Sequence, residues 1–121
     1  MTQIDQDHPL PRLYRRARVI HNILFIVRDQ FGVLDESVFL KSKRPSIARL
    51  RQIAMLLLKE QTNLSYSQIA RYFQMHPSTV LLGVRAIRAR LKEDAELAQT
   101  VDDMRAEIDD WSSTYEVRQD E

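Results

Sequence analysis

A chain of 121 residues can bury the core of one domain and carry extensions, and its two glycines and four prolines leave little turn chemistry for a β fold. It contains no cysteine, which excludes disulfides, thiolate metal sites and a cysteine nucleophile. The net charge of +1 conceals a division: Lys41 to Lys92 holds eleven Lys/Arg against the single acid Glu60, whereas Glu93 to Glu121 holds eleven Asp/Glu against Arg105 and Arg118. A basic body with an acidic tail suits a polyanion-binding surface, the tail being solvating, autoinhibitory or partner-binding.

The expected architecture is all-α: a small helical bundle containing a helix-turn-helix, with an additional C-terminal acidic helix. Residues 1–11 are polar, lack the layout of a signal peptide, and carry Pro9 and Pro11, so a disordered segment is expected there. From Leu13, apolar residues recur at Ala17, Ile20, Leu24, Val27 and Phe31, a helical spacing that leaves Arg15, Arg16 and Arg28 to solvent. Gly32 suits the left-handed residue that closes such a helix. A short helical turn over Glu36 to Phe39 runs into a basic loop, and Pro45 interrupts any longer helix. Ser46 is a candidate N-cap for the next helix, whose Ile47, Leu50, Ile53 or Ala54, and Leu57 or Leu58 make a broad apolar face suited to a central position.

Ser65 and Gln68 have capping-box spacing, with Leu64 and Ile69 placed as a hydrophobic staple. Beyond a short helix, His76 is the expected N-cap and Pro77 the first residue of another, Ser78 taking the cap if that helix starts later. Val80, Val84, Ile87 and Leu91 continue its buried face. Asp94 falls where the next apolar residue is due, so a break is expected near Glu93 to Ala95. Leu97, Val101, Met104, Ile108 and Trp111 then form an apolar stripe on an acidic helix, either folded back on its own domain or serving a homodimer or a partner protein. The domain boundaries read as 1–11, 12–93 and 94–121. The longest purely apolar run, Ala54 to Leu58, is too short to span a bilayer, so a cytoplasmic protein without membrane contact is expected.

The two short helices joined near Gln74 have the content of a helix-turn-helix. Ile69-Ala70 place a small residue where the helices approach, Phe73 and Met75 flank the turn, and Ser78-Thr79-Val80 open the second helix. Gln74 stands where the common pattern has glycine in a left-handed conformation, at a cost of about 1 kcal/mol. Over roughly Val19 to Leu91, and most specifically at "ARLRQIAM" and "EQTNLS", the sequence resembles the C-terminal DNA-binding domain of DnaA, the bacterial replication initiator. The resemblance implies double-stranded DNA as partner, loop arginines at Arg49 and Arg51 that approach the minor groove, and base-reading hydroxyls at Ser78 and Thr79. It implies a role in replication-initiation control or transcriptional regulation, with DnaA itself or another replication protein as a possible partner.

The departures concentrate at the reading end. Leu50 replaces a proline between the two loop arginines, the turn is one residue shorter, and Pro77 stands where the family has a base-reading histidine, although proline offers no hydrogen to a base edge. The chain contains no G-x-x-x-x-G-K-[ST] phosphate loop, so ATP-driven chemistry is not expected of it. The full expected contact set is Lys43, Arg44, Arg49, Arg51, Gln68, His76, Ser78, Thr79, Leu82, Arg85 and Arg88. His8, His21 and His76 lack metal-ligand spacing, and no hydroxyl is backed by an organised histidine and acid. The expectation is therefore a non-enzyme with no cofactor and no metal.

Overall fold

The computed structural model describes the backbone of residues 9–120 and the side chains of residues 15–111. Six helices follow in order: α1 (Pro9–Gln30), α2 (Glu36–Lys41), α3 (Pro45–Gln61), α4 (Tyr66–Phe73), α5 (Pro77–Glu93) and α6 (Ala95–Asp120), with no strand among the described residues. The chain is all-α, as its composition predicts. Helix α1 begins at Pro9, inside the segment expected to be disordered, of which residues 1–8 lie outside the described residues. The first N–H groups of a helix have no internal acceptor, so Pro9 and Pro11 forfeit nothing in that turn.

Helix α3 is central. Ile53 to Leu58 are six consecutive buried residues, because α1, α2, α4 and α5 all pack on it and leave no solvent face in its second half. Its start differs from the expectation: Arg44 is the N-cap and Pro45 the first helical residue, which places Ser46 inside the first turn rather than before it. Proline at that position fixes the helical φ in advance and so sets the boundary ahead of the serine. Gly83 of α5 lies against α3, where a Cβ would stand 3.2 Å from Met55 Sδ and 3.3 Å from Gln52 Cγ.

On α1 the buried residues are Ile20, Ile23, Ile26 and Val27, while Ala17 is exposed and Leu24 half-buried. The helix is apolar on more than one side, so spacing alone does not say which side meets the core. Arg28 is not a free surface cation. Its Nε donates to Val33 O at 3.2 Å, its Nη2 donates to Leu34 O at 2.6 Å, and Nη1 lies 3.9 Å from Glu36. It ties the α1–α2 connection to the helix that precedes it. Gly32, with φ 72°, closes α1 as expected: its N–H donates to Asp29 O, and that of Val33 to Arg28 O.

Asp94 breaks the helix between α5 and α6, its Oδ1 accepting from the N–H of Leu97 at 3.0 Å. From there α6 turns back onto α1 and α5 and buries Val101, Met104 and Ile108 completely. Each such burial is worth about 1.5–3 kcal/mol. A homodimer through Leu97, Val101, Met104, Ile108 and Trp111 would require peeling α6 off its own domain, so the stripe serves the fold instead. A bidentate pair also fastens α6 to the end of α3: Arg105 Nε and Nη2 each donate to Glu60 at 2.9 Å, with Nη1 on Asp102 at 2.8 Å. Hydrogen bonding to Glu60 is the main reason the Arg105 guanidinium is held above its ordinary value.

Candidate nucleic-acid interface

The interface is assembled from α4, α5 and the start of α3. Helix α4 is fixed at its N-terminus by the expected capping box: Ser65 Oγ accepts from Gln68 N at 3.1 Å, and Gln68 Oε1 accepts from Ser65 N at 2.8 Å. Leu64 and Ile69, the expected staple, are both buried. Gln68 was expected among the DNA contacts, but its amide oxygen is held by its own helix start, so its first role is structural.

Gln74 ends α4 with φ 53° and ψ 50°, the left-handed conformation foreseen for this position. Its N–H donates to Arg71 O at 3.3 Å, and the N–H of Met75 to Ala70 O at 3.1 Å, which turns the chain sharply into α5. His76 then caps α5. Its Nδ1 accepts from Ser78 N at 3.1 Å and lies 2.7 Å from Ser78 Oγ. The backbone N–H can only donate, so Nδ1 is the acceptor of this cap and the tautomer that fits it carries its hydrogen on Nε2. That leaves Nε2–H as the remaining donor of an exposed side chain at the helix entrance.

Beyond the cap, α5 buries Val80, Gly83, Val84 and Ile87 and exposes Ser78, Thr79, Leu82, Arg85 and Arg88. The core residues recur every three or four positions and anchor one side of the helix firmly. The opposite side is left polar and basic around Leu82, which is 61% exposed. An exposed leucine there is unfavourable in water but matches the methyl group of thymine, the apolar feature of a major groove.

Lys43 and Arg44 are exposed in the link before α3, and Arg49 is half-buried on its second turn. Arg51 behaves differently from its expected partner Arg49. Its Nη1 donates to Phe39 O at 2.9 Å, and burial lowers its pKa from the ordinary value. Arg51 therefore braces the C-terminal end of α2, while Lys43, Arg44 and Arg49 keep their guanidinium or ammonium groups without a carboxylate. Among the described residues this holds for the whole block: no Lys or Arg from Lys41 to Lys92 lies within 4.0 Å of an acid.

Bacterial DnaA helix-turn-helix sequences match residues 20–87 of the chain, from within α1 to within α5, which takes in every residue of this arrangement except Arg88. The chain belongs to the bacterial DnaA helix-turn-helix family. It is 39% identical over 64 residues to a chromosomal replication initiator protein DnaA of Chlamydia trachomatis, covering 53% of this chain and 14% of that protein. With the DnaA of Desulfatibacillum aliphaticivorans it shares 29% identity over 87 residues, 72% of this chain and 19% of the relative. The DnaA of Protochlamydia amoebophila is 32% identical over 72 residues, 60% of this chain and 16% of its own length. The chain thus corresponds to under a fifth of these relatives. No solved structure matches it.

The whole of helix α6 lies outside the region matched by the DnaA family, although the structure makes it part of the same core. Sequence reading missed Arg71, an exposed cation on α4 that lines a shallow groove of about 350 Å³ with Arg16, Gln68 and Tyr72. Its signal was available, because Ser67 and Arg71, four residues apart, share one polar side of α4. Among the described residues no helix is long and apolar enough to cross a membrane, and no cluster of acids and histidines is placed for a metal ion.

Proposed function

We propose that this chain is a double-stranded DNA-binding protein that acts in replication-initiation control, docking the N-terminal half of α5 in the major groove. Lys43, Arg44 and Arg49 then hold the backbone and the adjoining minor groove, with Arg85 and Arg88 on phosphates. Ser78, Thr79, the Nε2–H of His76 and Leu82 are the base-facing set. The observation that carries this reading is the basic block from Lys41 to Lys92: its cations lack acidic partners beside a helix whose core-anchored side leaves exactly one polar side open. Cations gathered without counter-charges repel one another, and a polyanion relieves that repulsion.

The test is selection from a randomised duplex pool followed by anisotropy titrations over a range of salt. Enrichment of one motif, with affinity falling steeply as salt rises, is the expected result. Binding that does not change with salt, or no enrichment and no affinity at low salt, would refute it. A changed reading set, with Pro77 at the family's histidine position, leads us to expect a motif different from the family's usual box; a role as a transcriptional regulator would use the same contacts.

A second reading has one observation in its favour. The outer side of α6 exposes Glu96, Asp103, Glu107, Asp109 and Asp110, an acidic strip that suits a basic partner protein such as a replication initiator. Removing the helix would not test this, since Val101, Met104 and Ile108 belong to the core. Charge reversal at Asp103 and Glu107 is the appropriate perturbation. Loss of partner capture with DNA affinity unchanged would support the interaction role, and a rise in DNA affinity would instead show that the strip competes with the duplex.

A further inference from the structure

The outer side of α1 carries a feature that DNA binding leaves unused. An open groove of about 670 Å³ runs along it, lined among others by Arg18, His21, Phe25, Glu36, Tyr72 and Trp111. Phe25 is 51% exposed and Tyr72 44%, and Leu34 and Val38, flanking Glu36 in the chain, are 81% and 42% exposed. Of the five large exposed hydrophobics among the described residues, the two aromatic ones, Phe25 and Tyr72, line this groove. Exposed aromatic surface of this kind marks a contact with another molecule.

The charges say which molecule. Arg18, His21, Phe25 and Asp29 are spaced three, four and four, so they follow one another along the solvent side of α1, opposite the buried Ile20, Ile23 and Val27. The stripe is basic at its N-terminal end and acidic at its C-terminal end, with the aromatic ring between. Such a surface is complementary to itself when reversed. The Asp29 side chain is exposed and has no partner among the described residues, and Arg18 brings its charge in addition to contacts within its own chain.

We propose that α1 is a homodimer interface, in which two copies pair antiparallel about a two-fold axis level with residues 23 and 24. Residue n then faces residue 47 − n of the second copy. Arg18 meets Asp29 at both ends of the interface, because a two-fold contact repeats every pair. Phe25 falls opposite position 22 of the second copy, one step from His21, and enters the groove that Tyr72 and Trp111 border. This dimer leaves α6 in place and does not depend on DNA binding. Where the duplex is bound, it gives two recognition helices related by the two-fold axis and so a palindromic site.

Sedimentation of the full chain across a concentration series, without DNA, tests the proposal. The expected result is a reversible monomer–dimer equilibrium that Phe25→Glu weakens by about tenfold or more, as loss of a central aromatic anchor does. Asp29→Arg should weaken it comparably by setting cation against cation at both ends, and Arg18→Asp combined with Asp29→Arg should recover most of the affinity. Circular dichroism and thermal melting check that each variant is folded. If Arg18→Asp disturbs the fold, the exposed Asp29→Arg and Phe25→Glu substitutions decide the matter by themselves. A monomer at every concentration, or a dimer indifferent to Phe25→Glu and Asp29→Arg, overturns the proposal. A folded charge-swapped variant that stays as dissociated as Asp29→Arg alone overturns it as well.

Discussion

Replacing Gln74 by glycine should make this protein more stable, although it shortens a side chain and frees the backbone. Gln74 holds φ 53° and ψ 50°, where the Cβ of an L-residue crowds the neighbouring carbonyl at a cost of about 1–2 kcal/mol. Glycine removes that crowding but raises the entropy of the unfolded chain, which takes back about 0.4–1 kcal/mol. The side chain is exposed and makes no hydrogen bond among those of the described residues, so little else is lost. The net expectation is a gain of about 1 kcal/mol, which for a domain of this size raises the melting temperature by about 3–6 °C.

Gly32 supplies the control from within the same molecule. It has φ 72°, and a Cβ added there meets nothing within 4 Å, so Gly32→Ala isolates the backbone cost without a packing clash. It should lower stability by about 1 kcal/mol, the mirror image of Gln74→Gly. Urea denaturation of both variants beside the parent, followed by circular dichroism, measures the two differences. An unchanged or lowered midpoint for Gln74→Gly, with Gly32→Ala destabilising as expected, would show that contacts of the Gln74 side chain outweigh the strain. Two neutral substitutions would refute the argument from left-handed geometry altogether.

Other expectations follow from the same contacts. Phe39→Ala should cost about 3–5 kcal/mol in denaturant titrations, since Phe39 is 1% exposed and its ring centroid lies 6.1 Å from that of Phe73, joining α2 to α4. Gly83→Leu should cost about 1–3 kcal/mol and disturb the placement of α5, because Met55 and Gln52 already crowd a single added carbon; a neutral effect would mean that α3 and α5 separate easily. The Arg105–Glu60 pair is bidentate but about 30% exposed, so a double-mutant cycle of Arg105→Ala and Glu60→Ala should return a coupling of about 0.5–1 kcal/mol that shrinks in high salt. In DNA titrations, Arg49→Ala should weaken binding and reduce the salt slope by about 1, whereas Arg51→Ala should act mainly through stability, because its guanidinium holds Phe39 O.

The elements of this fold are legible in the sequence wherever a short-range rule decides them. Gly32, the Ser65–Gln68 box, His76 before Pro77 and the break at Asp94 are local arrangements of backbone donors and acceptors, and each sits where its neighbours in the chain require. The start of α3 went to Arg44 and Pro45 rather than Ser46 because two local rules competed, and the fixed φ of proline prevailed. The likeness to DnaA was equally legible, carried by "ARLRQIAM" and "EQTNLS", and it covers the helices that build the interface.

The assignment of side chains to core, brace or open surface is another matter. Arg49 and Arg51 stand two residues apart on one helix and look alike in sequence, yet Arg51 turns to a carbonyl of α2 while Arg49 does not. Gln68 offers an amide that its own cap has already taken. On α1 the alternation of apolar residues permits more than one buried side, and only the packing of α3 and α6 selects Ile23 and Ile26 while leaving Phe25 outside. The stripe from Leu97 to Trp111 predicts an amphipathic helix but not its partner, which proves to be the chain's own core. Hydrophobic spacing and capping act over one or two helical turns, so the sequence alone determines the helices, their ends and the basic character of the body. Which side of a helix is covered, and by what, depends on residues far apart in the chain, and only the assembled tertiary structure brings them together.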